Sequence, residues 1–338
     1  MGHQIFVLAP TFPNYKDTEK NIIRYPSLPN PFIQKYPLGI PIVPASKIAK
    51  LKPDLIHTHH PLIIGKFASY LSEKLHIPLF FTAHTQYEQY LNYYFPKGFD
   101  FTSRMLINDL ASLSLKCQKV ICPSPQTETR LKKYGIENTQ VLFNGIDTKL
   151  FSFKKQALNN KLTVIYTGRI QKEKNPFFLI KVAKELKKMT PNFQIIIIGD
   201  GRLLPKVSDL VIKNKLEDNV QLTGQVSQKI LPNIYQSADL FFTPSISEVM
   251  PLSVLEAQSC GLPTVALTNS NLESIVIPEV SGLLLKPNPN LVAKEILCLF
   301  KNKKKLKSLS LGARKVAEKN SLKNCAKELI KLYTTSYS

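Results

Sequence analysis

The sequence predicts an α/β protein built from two doubly wound domains. Three observations carry that expectation. Short apolar, β-branched runs alternate with amphipathic helical stretches along almost the whole chain. The runs are continuously apolar rather than alternating, which marks parallel strands buried on both faces. At 338 residues, 43% of them hydrophobic, the chain exceeds one ordinary domain and suits two of about 150 residues each.

In the first half the strand candidates are HQIFVLAP, DLIHTHH, PLFFTAH, KVICPS and QVLFNG. In the second they are LTVIYTG, FQIIIIGDG, NVQLTG, ADLFFTPS, PTVAL and SGLLL. Between them GKFASYLSEKL, NPFFLIKVAKELKKM and LPKVSDLVIKNKL place apolar residues three and four apart, the spacing of a helix with one buried face. Residues 143–161 are polar, contain Asn144-Gly145 and carry no period, so they read as a linker. The expected division is 1–147, 148–320 and a terminal helix over 321–338 able to pack back on the first domain.

Composition narrows the class. No apolar run approaches the ~20 residues needed to cross a bilayer, and the start MGHQIFVLAP lacks the basic region of a signal peptide. Five cysteines without a CxxC pair fit reduced thiols in a cytoplasm, with neither a disulfide frame nor a zinc site. The formal net charge of +21 has two readings: attraction to an anionic membrane surface, or lysine-rich coding bias, since only six of the 45 basic residues are arginine. Nucleic acid is not an expected partner, because no segment interleaves aromatics with arginine.

Open α/β sheets bind ligands at the carboxyl ends of strands, so unusual residues there are the candidates. In SISEVMPLSVLEAQSCG (245–261), Pro251 is placed at the first helical position and Gly261 just past the helix end. Glu248 then lies over a helix N-terminus, where complementing the helix dipole explains it adequately. Glu256 lies inside the helix among core-like neighbours, and a carboxylate there needs hydroxyl or cationic partners, such as a ribose. TGRIQKEKNP (167–176) puts Arg169 and Lys174 after a strand, where they can converge on one anion; a solvated basic loop is the plainer alternative. In IIIIGDG, Gly199 and Gly201 permit close backbone approach, although any tight turn after a strand uses glycine. Neither a dinucleotide fingerprint nor a P-loop occurs.

The first half ends two strands in histidine, at LIHTHHP and FFTAHTQYEQY. His57 and His59 share a strand face, but no carboxylate neighbours them in sequence, so no metal site is expected. His84 precedes Tyr87, Glu88 and Tyr90, which read either as a core helix with tyrosine tips or as the wall of an acceptor pocket.

Taken together, SEVMPLSVLEAQSCGLPTVA resembles the E-x7-E region of retaining nucleotide-sugar glycosyltransferases, the group with two facing Rossmann-like domains known as GT-B. GRIQKEKN, IIIIGDG, VQLTGQV and VLFNGID match that family in order and spacing. HTHHP and FTAHTQYEQY look most like bacterial diacylglycerol glucosyltransferases and phosphatidylinositol mannosyltransferase relatives. The resemblance implies a donor held mainly by the second domain: Glu256 at the ribose, Arg169 and Lys174 at the diphosphate, Glu248 at the transferred sugar, Thr223 and Gly224 near the base. Gly168, Gly199, Asp200, Gly201, Met250, Pro251 and Leu252 complete that set. It also implies His84 beside the transferred sugar, with His59, Tyr87, Glu88 and Tyr90 on the acceptor side.

The implied reaction moves a hexose from a UDP-glucose-like or GDP-mannose-like donor to a lipid such as diacylglycerol, or to a glycan. It retains configuration and uses no metal or cofactor, with His84, Arg169, Lys174 and Glu248 as its catalytic group. An epimerase of the same architecture, or an inactive relative that binds anionic membrane, are the alternatives. Two departures stand out. Met250-Pro251 replaces the family's Phe-Gly, and the first domain is expected to lack its N-terminal strand, first helix and glycine-rich loop. A cytoplasmic protein, peripheral on the inner face of the cell membrane, is the expected setting.

Overall fold

A computed structural model describes residues 2–12, 15–29, 37–84, 100–154, 160–246, 248–268 and 271–335. The chain divides into two compact units, one running to Val141 and one from Leu142 onward; the second also takes in Pro123–Gln126. The division thus falls earlier than the expected 147/148 boundary.

The first unit comprises β1 (Val7–Pro10), β2 (Ile22–Tyr25), β3 (Ser27–Leu28), β4 (Leu38–Gly39), α1 (Ala45–Ala49), β5 (Ile56–Thr58), α2 (Ile63–Leu75), β6 (Leu79–Thr82), α3 (Asp100–Lys116), β7 (Lys119–Cys122), α4 (Pro125–Lys133) and β8 (Thr139–Val141). β5 to β8 form a parallel four-stranded sheet in chain order, while β1 and β2 pair in parallel as a separate ribbon. All four residues of β6 are buried, as its unbroken LFFT run requires. α2 turns its small and apolar face inward, burying Gly65, Ala68, Ser69 and Leu71.

The second unit comprises β9 (Leu162–Thr167), α5 (Pro176–Met189), β10 (Phe193–Ile198), α6 (Leu204–Lys213), β11 (Val220–Gly224), α7 (Leu231–Gln236), β12 (Leu240–Thr243), α8 (Leu252–Ser259), β13 (Thr264–Leu267), β14 (Gly282–Leu285), α9 (Pro289–Lys301), α10 (Lys303–Lys319) and α11 (Leu322–Thr335). Its six strands are parallel, in the order β11-β10-β9-β12-β13-β14. Successive residues of each strand feed two different cores. Leu162, Val164 and Tyr166 of β9 join one apolar cluster and Ile165 joins the other; Leu240 and Phe242 of β12 divide from Phe241 in the same way. A strand with cores on both faces must be apolar at every position, which is why these runs show no alternation.

The polar segment after β8 is not a loose linker over its described part. Ile146 and Phe151 are buried in the second unit. Ile146 exchanges backbone hydrogen bonds with Asn320 and Leu322, fastening the start of α11. Arg314 of α10 donates to the carbonyl oxygens of Phe151 and Ser259, tying this segment to the end of α8. No helix among the described residues is long and apolar enough to cross a membrane.

Candidate functional site

The strand order of the second unit reverses beside β9. The chain winds outward from β9 through β10 to β11, then returns to place β12 on the other side. Connections leaving β9 and β12 therefore diverge, and the crevice they leave at the carboxyl ends is where such sheets hold ligands. The residues singled out in GRIQKEKN and SISEVMP occupy the two loops flanking that point.

Three contacts join those loops. A single turn of 3-10 helix, Lys172–Lys174, follows β9, and Asn175 adopts a left-handed conformation before α5 begins at Pro176. The Glu173 carbonyl accepts from Ser245 Oγ at 3.2 Å and from the Ile246 amide at 3.4 Å. Lys174 Nζ donates to Glu248 Oε1 at 2.6 Å, and Glu248 is only 7% exposed. Asn271 Nδ2 donates to the Glu248 carbonyl from a third loop at 3.3 Å. Arg169, the exposed end of the group, stands 3.4 Å from Glu173 Oε1. Neither carboxylate oxygen of buried Glu173 accepts a hydrogen bond among the described residues, so the guanidinium is its visible counter-charge.

Pro251 does not take the first helical position expected for it. It is the N-cap of α8, in extended conformation, with its carbonyl accepting from the Val254 amide. No described side chain caps this terminus, the positive dipole end of α8, which follows directly on the loop carrying Glu248. Gly261 follows the C-cap Cys260 with φ of +88°, as the helix stop requires. Glu256 projects from α8 half-buried, and Tyr235 Oη donates to its Oε2 at 3.2 Å. Burial raises the Glu256 carboxyl above the ordinary range, while the bond from Tyr235 opposes that rise.

The other expected donor residues have the following places. Met250 is in the core, with its Sδ accepting from the Asn144 amide at 3.4 Å. A Cβ on Gly199, whose φ is +138°, would sit 2.0 Å from the Gly168 carbonyl oxygen; one on Gly201 would sit 2.4 Å from that of Ile170. Both glycines are thus required by the packing of one loop on another. Asp200 Oδ1 closes a local turn by accepting from the Gly201 amide. Thr223 and Gly224 end β11, where the Gly224 carbonyl accepts from the Gly199 amide. Leu252, the first residue of α8, is exposed.

In the first unit β5 and β6 bring the histidines together. His57 and His59 stack with ring centroids 4.4 Å apart, and His59 Nδ1 lies 2.9 Å from His84 Nε2. His57 Nε2 contacts Thr82 Oγ1 at 2.7 Å. Burial first, then the neighbouring rings, pushes His57 down to about 3 and His84 to about 4. Tyr87, Glu88 and Tyr90 lie outside the described residues.

Sequence reasoning missed Tyr235 and Glu173. Tyr235 reads as an ordinary core aromatic on a short helix, and nothing local links it to Glu256. An acid between two lysines in QKEKN was the one available sign for Glu173.

Two α/β units with parallel sheets are the architecture of the GT-B class of glycosyltransferases, and solved members superpose on the chain. Anabaena HepE in complex with UDP matches with a TM-score of 0.74 at 18% identity, covering 93% of this chain and 86% of that one. Sucrose-phosphate synthase from Thermosynechococcus elongatus matches with a TM-score of 0.75 at 21% identity, covering 97% and 87%. At the family level, the model for glycosyl transferases group 1 matches residues 147–316, and that for Glycosyltransferase Family 4 matches residues 1–150. The chain belongs to the glycosyl transferases group 1 family. Among its relatives, an alpha-monoglucosyldiacylglycerol synthase of Acholeplasma laidlawii is 27% identical over 93% of this chain and 84% of its own length. A GDP-mannose-dependent alpha-mannosyltransferase of Corynebacterium glutamicum is 25% identical over 84% of this chain and 69% of its own. The protein is a GT-B glycosyltransferase related to glycolipid synthases.

Proposed function

We propose that the chain transfers a hexose from a nucleoside-diphosphate sugar to a lipid acceptor of the diacylglycerol type, with retention of configuration and without metal or cofactor. The observation that carries this reading is the Lys174–Glu248 contact at the strand-order reversal, with Arg169, the α8 N-terminus and Glu256 around it. A nucleotide sugar matches that set group by group. Its diphosphate calls for the guanidinium, the ammonium and the helix dipole; its ribose and hexose hydroxyls call for two carboxylates.

In the reaction the anomeric carbon–oxygen bond to the diphosphate breaks and a bond to the acceptor oxygen forms on the same face. Negative charge grows on the leaving diphosphate, where Arg169, Lys174 and the amides of the first turn of α8 stabilise it; that placement of positive charge is the reason for proposing metal independence. Glu248, released from Lys174, receives the hexose hydroxyls. The acceptor side is assigned to the first unit, with His84 and its neighbour His59 as its residues. Burial keeps the His84 ring neutral at pH 7, so it acts as a hydrogen-bond partner rather than a cation. The net charge of +21 supports a peripheral position on an anionic cytoplasmic membrane face.

Calorimetric titration of the chain with UDP and with GDP tests the donor site. Binding of one nucleotide, lost in Glu256→Ala, is expected. No binding of either by a folded chain overturns the assignment. Interconversion of sugar nucleotides without any acceptor would instead favour an epimerase.

A further inference from the structure

Tyr235 contacts the candidate site, and the proposed reaction leaves it without a role. It sits at the end of α7, fully buried. Its ring is held by Phe151, with centroids 6.2 Å apart, and by Phe241 of β12, 6.1 Å away and nearly edge-on. A ring wedged between two aromatics places its hydroxyl at one point. That point is 3.2 Å from Glu256 Oε2.

We propose that Tyr235 is a positioning residue for ribose recognition: its hydroxyl holds one oxygen of Glu256 and turns the other toward the 2′ and 3′ hydroxyls of a bound ribonucleotide. The inference rests on the reading of Glu256 as the ribose-binding carboxylate. Even on a half-buried helix position, a glutamate's terminal torsion is broad. Fixing one oxygen removes that freedom before the nucleotide arrives, so less ordering is needed on binding. The arrangement also explains a buried tyrosine hydroxyl on an otherwise apolar face, since such a group needs a partner to be tolerated there.

The test uses Tyr235→Phe, which keeps the ring and removes only the hydroxyl. Dissociation constants are measured by calorimetry for UDP, 2′-deoxy-UDP and 3′-deoxy-UDP, or for the guanine series if that base is the one bound, on wild type and variant with matched thermal midpoints as the folding control. Wild type should prefer the ribonucleotide. The variant should lose about tenfold in affinity for it, as for loss of a hydrogen bond to a charged group, while each deoxy analogue, which keeps one of the two hydroxyls, loses clearly less. The preference therefore collapses. Equal weakening of all three nucleotides points to a structural role and overturns the inference, as does an unchanged preference. A wild type that binds the ribonucleotides and their deoxy analogues alike removes the ribose from Glu256, and the parent reading fails with it. The wild-type comparison thus tests the parent reading, and the variant tests Tyr235.

Discussion

Lys174 Nζ lies 2.6 Å from Glu248 Oε1, and the two side chains come from loops on opposite sides of the strand-order reversal. Each is a partner of the other, with side-chain exposures of 18% and 8%. Removing one charge leaves the other in a low-dielectric setting. Lys174→Met should destabilise the second unit by about 3 kcal/mol, the lower end for breaking a buried pair. Adding Glu248→Gln should recover most of that loss in denaturant titrations without restoring donor binding. A double variant no more stable than Lys174→Met would show that the pair is not coupled.

Glu256 should trade stability for binding. Its carboxyl is raised chiefly by burial, so the folded chain holds a proton there more tightly than the unfolded chain. Stability from this group is therefore complete below the ordinary glutamate range and declines as pH rises through its raised range. Glu256→Gln should unfold at a higher temperature than wild type at pH 7, with the difference vanishing in acid, while nucleotide affinity is lost. A variant no more stable at pH 7 than at pH 4, relative to wild type, contradicts the raised carboxyl.

Gly199→Ala tests the loop packing directly. A methyl group would meet the Gly168 carbonyl at 2.0 Å, at a φ of +138° that L residues avoid. The backbone of residues 168–170 must shift, taking Arg169 with it. Destabilisation above about 1 kcal/mol and weakened nucleotide binding are expected together. Wild-type behaviour in both would mean that the loop yields without consequence.

His57 sets an acid limit. Burial, then His59 and His84, pushes it down to about 3, whereas an unfolded histidine titrates near 6.5. Between those values only the unfolded chain takes the proton, so stability falls as pH drops through that window. His57→Asn should flatten the acid limb by up to about 1.4 kcal/mol per pH unit, read as a slope because the substitution also alters packing. An unchanged slope would place a proton on the native ring.

Membrane attachment driven by charge should respond to salt. Vesicles containing anionic lipid should bind the chain at low ionic strength and release it as the Debye length shrinks to about 3 Å near 1 M salt. Equal binding to neutral vesicles contradicts that origin.

Local pattern carried a large part of the fold. IIII in β10 and LFFT in β12 were readable as strands because burial on both faces demands apolarity at every position. Arg169, Lys174, Glu248 and Glu256 were readable because charged groups at strand ends and inside a helix conflict with the pattern around them. β2 (IIRY) was missed, since its arginine breaks the apolar run. The packing that requires glycine at 199 and 201 was not readable, because the loop that meets them follows another strand.

By itself the sequence determined the α/β class with parallel sheets, the elements that build the second sheet, and which charged residues stand at its strand ends. Those properties are local: they follow from periodicity, from turn residues and from the cost of burying charge. Only the tertiary structure decided which residues meet. The pairing of Lys174 with Glu248, separated by 74 positions, and of Tyr235 with Glu256, separated by 21, depends on where the winding of the sheet reverses. That reversal is a property of strand order, and strand order is set by packing between elements distant in the chain.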